Sequence, residues 1–190
     1  LEEQKMANET ITDLDKLRKL AQQPLWDRQQ VQTATSVLKF FSKPADGSTK
    51  TDLDTNIKRD GGMLEDKQAY LVKGIRALLN SSITDADAKA VMENGLFVFK
   101  RSDNEEFRLP LILIPAACGI HSMSTFASVS AVTNGLPHID NMYKLANMIE
   151  IPPNQSFSAE VQFFGSKTIS GTAYLTIVLE GFMKKNAMNV

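Results

Sequence analysis

Residues that carry reaction chemistry are scarce in this 190-residue sequence, which holds one cysteine, Cys118, and two histidines, His121 and His138. A lone cysteine excludes an internal disulfide framework and suits synthesis in a reducing compartment. Cys118 and His121 lie three residues apart, but a zinc site or an activated thiolate needs further partners, so they read as a packed or surface pair. The sequence has no phosphate-binding glycine loop and no nucleophile elbow. Glu105 and Glu106 are adjacent on an expected strand, where neighbours point to opposite faces and do not share a proton-transfer task. No enzyme is expected: no catalytic residue, cofactor or metal ligand is assigned.

Charge of one sign is lacking too. Twenty-one Lys and Arg face twenty-two Asp and Glu, and they are scattered rather than clustered, so no direct nucleic-acid contact is expected. No apolar run approaches the roughly 20 residues that span a bilayer, and the amino end is charged without a signal-peptide core. No membrane partner is expected. The length fits one domain, or one domain with an arm.

What is present is β pattern, clearest in the last third. Phe157, Ala159, Val161 and Phe163 alternate with Ser158, Glu160 and Gln162, the signature of a strand with one wet face. After a turn at Gly165-Ser166-Lys167, the run from Thr172 to Phe182 puts Leu175, Ile177 and Leu179 on one side and Tyr174, Thr176 and Glu180 on the other. Two such strands call for a second sheet to cover them. Upstream, Ile149 and Ile151 run into Pro152-Pro153, which cannot donate to a ladder and mark a strand end or an edge.

Taken from the amino end, residues Thr10 to Gln23 carry Ile11, Leu14, Leu17 or Leu20, and Ala21 at helical spacing, with Asp13 and Asp15 early and Lys16, Arg18 and Lys19 late. This predicts an amphipathic helix, lying across its own domain or docking on a neighbouring subunit, with Pro24 as its stop and Trp26 as an apolar anchor. Thr33–Ser42 reads as the first strand of the body. Residues Lys43–Asp66 form a long polar loop, expected to be solvated or to contact a partner. Its Asp46, Asp52, Asp54 and Asp60 do not match the spacing of a calcium-binding EF-hand. For Gln68–Leu79 helix and strand are both tenable, with strand preferred because of Gly74. Ser81–Glu93 predicts a short helix capped by Thr84 and ended by Asn94-Gly95. A strand over Leu96–Phe99, a turn at Ser102–Glu105 and an antiparallel partner over Glu106–Ile114 follow, with Pro110 and Pro115 placing that partner at an edge or bulge. Ala116–Val132 is small and lightly polar, and Thr133–Pro137 is a turn. The fold expected is mainly β: an antiparallel jelly-roll-like β-sandwich over residues 25–190, with an amino-terminal helical arm over 1–24 and one short internal helix.

The run IPPNQSFSAEVQF, a variable turn and then AYLTIVLEGFMKK resembles the closing strands of β-sandwich virion proteins of bacteriophages and related viruses. In those proteins a proline-bearing corner precedes a strand, and the final strand ends in an apolar-acid-glycine step followed by basic residues. The segment TDLDTNIKRDGGMLEDKQAYLVKGIRALL is similar to an earlier part of such proteins, and together the two cover about half the chain. The resemblance implies a capsid, capsid-associated or connector subunit, found in the virion and made in the host cytoplasm, whose partners are copies of itself and other virion proteins. Its expected assembly surface comprises Ile11, Leu14, Leu17, Ala21, Tyr174, Thr176 and Val178. The competing expectation is a binding module of the same fold that takes a glycan or protein at its loops, with Trp26 or Tyr143 as stacking residues.

Overall fold

A computed structural model describes residues 20–80, 82–116, 124–126, 129–131 and 141–185. The chain is mainly β and its sheets are antiparallel. Before the long loop lie β1 (Leu20–Gln22), β2 (Leu25–Val31) and β3 (Val37–Phe40); after it come β4 (Gln68–Leu79) and helix α1 (Asp85–Asn94). Next are β5 (Gly95–Arg101), β6 (Asn104–Pro110) and a 3-10 turn over Leu111–Leu113. The remaining strands are β7 (Ser124–Phe126), β8 (Val129–Ala131), β9 (Tyr143–Ile151), β10 (Phe157–Phe163) and β11 (Ala173–Lys185). One sheet is ordered β2-β11-β4-β9, with β1 also on β11; a second is ordered β3-β10-β5-β6; β7 and β8 pair with each other. Side chains of the first two sheets meet in one hydrophobic core, including Ile75, Leu175, Ile177 and Leu179 from one and Phe40, Phe97, Phe99 and Val161 from the other.

The predicted helix over Thr10–Gln23 is corrected where it enters the described residues. Leu20–Gln22 are a strand lying opposite Phe182–Lys184, and Ala21, expected on a helical arm, is half-buried against the core of its own chain. Strand pairing along β11 overrides the local helical pattern; Ile11, Leu14 and Leu17 lie outside the described residues. Pro24, which has no N–H, separates β1 from β2, and β2 resumes opposite Ala173–Leu179. On β11 a bulge at Glu180/Gly181 falls at the same level. The buried Tyr70 hydroxyl reaches the carbonyls of both Gln23 and Leu179 at 2.8 Å, bridging the two interruptions. A Cβ on Gly181 would lie 1.9 Å from the Leu71 carbonyl oxygen, so only glycine fits that bulge.

Three further boundaries differ from expectation for local reasons. The first body strand is cut to Val37–Phe40 because Phe41 turns the chain at φ 63°, its ring 5.6 Å from that of Phe157. The partner expected over Glu106–Ile114 begins earlier and gives way at Pro110 to the 3-10 turn. Thr84 does cap α1, accepting the Asp87 N–H at 3.2 Å, but Gly95 is extended at φ −88° rather than left-handed. Glycine suits the position because a Cβ would lie 2.9 Å from the Val91 carbonyl oxygen. The strand preference for Gln68–Leu79, the edge position of β6 and the end of β9 at Pro152 all match the sequence pattern.

Candidate functional site

The long loop is not simply solvated. Asp54–Asn56 run along the free side of β2: the Arg28 N–H donates to the Asp54 carbonyl at 2.7 Å and the Asn56 N–H to the Trp26 carbonyl at 3.3 Å. The Asn56 side chain brackets the same stretch, its Oδ1 accepting from the Trp26 N–H and its Nδ2 donating to the Pro24 carbonyl. Thr55, Ile57 and Leu64 are buried, which is what a wholly polar reading of the loop missed. The same loop sends Lys50 down to Asp27, a fully buried carboxylate that also accepts from the Phe41 N–H at 2.5 Å and from Gln29 at 3.3 Å. Burial pushes the Asp27 carboxyl above its ordinary range, against the opposing pull of Lys50 and these donors. The only sequence signal for this was one acid at an inward position of the strand LWDRQQV.

Above this pair the loop and β2 enclose a polar cleft of about 420 Å³, with Arg28, Lys43, Thr49 and Tyr174 on its walls. The Arg28 guanidinium stacks 4.0 Å above the Tyr174 ring and lies 3.8 Å from Asp54. Both acids of the cleft are committed to their own loop. Asp46 accepts the N–H groups of Ser48, Thr49 and Lys50 at 2.8–2.9 Å, and with the Thr49 hydroxyl these hold its carboxyl well below the usual range. Asp54 accepts from the Thr51 N–H at 3.0 Å and hydroxyl at 2.8 Å, which lowers its pKa as well. The wall also carries the Lys43 ammonium and the amides of Gln29 and Gln30, which donate and accept, so with Arg28 shared between Asp54 and Tyr174 the cleft is mixed in its hydrogen-bonding character.

Tyr174 belongs to this cleft, and Thr176 lies opposite Arg28 on β2. Val178, between Trp26 and Arg76 in register, is 7 % exposed, so three residues grouped by sequence alternation have different surroundings. Trp26 and Tyr143 sit on β2 and β9, the opposite margins of one sheet, and do not converge. Asp52 pairs with Lys58 at 2.7 Å, and among the described residues no group of three His, Cys, Asp or Glu could hold a metal ion. Glu105 is gripped by Arg108 and Glu106 by Arg101. Cys118, His121 and His138 lie outside the described residues. Among the described residues no helix is long and apolar enough to cross a membrane. No family model, curated protein or solved structure matches this chain.

Proposed function

We propose that this chain is a structural subunit of a virus or phage particle, a capsid, capsid-associated or connector protein that assembles through repeated contacts with copies of itself and with other virion proteins. The observation that carries the reading is the strand order. Leaving aside the β7–β8 hairpin, the antiparallel pairs β2–β11, β3–β10, β4–β9 and β5–β6 are nested one inside the next, as in a single long hairpin. Rolling that hairpin gives two four-stranded layers, β2-β11-β4-β9 and β3-β10-β5-β6, which supports a jelly-roll sandwich. Jelly rolls serve as viral capsid domains and also as lectin domains, so the fold narrows the function without naming it. The likeness of the two closing strands to virion proteins tips the choice toward assembly.

Light scattering on the full chain and on a chain lacking residues 1–19 tests the reading. A discrete oligomer in the full chain supports it, and its loss on truncation gives the amino-terminal segment a role in assembly. A monomer in both forms favours the second reading, a glycan- or protein-binding module, for which the polar cleft beside Tyr174 is the specific observation. Binding of a glycan that Arg28→Ala abolishes would support that reading instead.

A further inference from the structure

Exposed sheet edges template association, and of the edges of the two larger sheets this chain blunts all but one. On one side of the first sheet, β1 is three residues long and β2 is covered by Asp54–Asn56. In the second sheet β3 is only four residues long. The β6 edge carries the Glu105–Arg108 pair, ends in Pro110 and has a bulge opposite the Phe99–Lys100 step. The edge at β9 is built differently. Its register with β4 passes from Ile149 opposite Val72 to Lys144 opposite Gly74, which leaves Leu145, Ala146, Asn147 and Met148 without partners on β4. Ala146 and Asn147 are exposed and Met148 is 56 % exposed, so this bulge presents an uncharged, largely apolar surface to solvent.

At the two ends of that surface stand Lys144 and Glu150, both exposed, and neither has an ion-pair partner among the described residues. They lie equally far from Asn147 along the chain. Two copies of the segment laid antiparallel about a two-fold axis at Asn147 put each Lys144 against Glu150 of the other copy. The same operation puts exposed Ala146 against Met148, with Leu145 opposite Ile149, both half-buried against the core of their own chain. We infer that the β9 bulge is a self-complementary contact surface for a second copy of this chain. The inference rests on the assembly reading and deepens it by assigning one two-fold contact to named residues.

The test is a charge-exchange series in the full-length chain carrying Cys118→Ser: Lys144→Glu, Glu150→Lys and the two together, with self-association measured by sedimentation velocity. Each single change sets like charges together and is expected to weaken association about tenfold, while the double exchange restores complementary pairs and returns it to within about threefold of the parent. In the same background Asn147→Cys is expected to oxidise to a covalent dimer, because the axis brings each copy's residue against itself, whereas Leu53→Cys, on a loop residue 86 % exposed, is not. An oligomer that is indifferent to all three charge variants and gives no Asn147→Cys dimer overturns this inference and leaves the assembly reading standing. A chain that stays monomeric up to its solubility limit and gives no cross-link overturns both.

Discussion

Tyr70 is the side chain whose loss should be felt farthest from its own position. Its hydroxyl bridges the carbonyls of Gln23 and Leu179, one from each of two chain segments interrupted at the same level. Tyr70→Phe keeps the ring and takes away the single O–H that the two carbonyls share, an expected cost of about 1–3 kcal/mol in urea unfolding. Asp87 is a second such residue. It is almost fully buried at the start of α1 and receives the N–H groups of Ser170 and Gly171 at 2.9 and 3.0 Å, and the Ser170 hydroxyl as well. Burial alone raises its pKa, but these donors outweigh it and the net direction is down from 3.8. A carboxylate with a lowered folded pKa contributes stability that is present above the unfolded value and lost as pH falls through the folded one. Unfolding midpoints measured on the acid side of 3.8 should therefore drop, and Asp87→Asn should flatten that part of the profile while lowering stability at neutral pH.

At the scale of elements, the loop over residues 43–66 acts as a strap on β2, fastened by Lys50 on buried Asp27 and by the Asn56 amide. Lys50→Met leaves a buried carboxylate without its cation and is expected to cost about 3–5 kcal/mol at neutral pH. That carboxylate would take up a proton more readily without the cation, so the penalty should shrink in acid, and Asp27→Asn combined with Lys50→Met should be milder than Lys50→Met alone; thermal melts across pH check both. The elements that could be read from the chain were those whose period matched their burial. In β10 and β11 the residues Phe157, Ala159 and Val161, and Leu175, Ile177 and Leu179, are buried as the alternation required, whereas Phe163 is only half-buried and Glu160, expected on the wet face, is buried against Lys100. The elements that were missed depend on partners distant in sequence. β2 carries Asp, Arg and Gln in its interior and looks like a loop until Thr55 and β11 lie beside it. β1 has a helical pattern and becomes a strand only because β11 offers it an edge. The cleft escaped notice for the same reason, since Arg28 and Tyr174 stand far apart in the chain.

For the whole molecule, the boundary between arm and body moves. Cutting after residue 19 leaves β1 in place, whereas cutting after residue 24 removes a strand that pairs with Phe182–Lys184 and a carbonyl that the Tyr70 hydroxyl uses. The shorter deletion should melt close to the full chain and the longer one clearly below it, which differential scanning calorimetry would resolve. A chain lacking residues 1–19 that melted as low as one lacking 1–24 would show that the preceding segment also holds the body together. The position of β11 has a consequence for how the protein is made. It is the last of the described strands, yet β1, β2 and β4 all pair with it. At about 5–20 residues per second of synthesis, β2 leaves the ribosome roughly ten seconds before its partner exists. The first sheet therefore closes late, and until then the apolar side of β4 depends on whatever shelters a nascent chain.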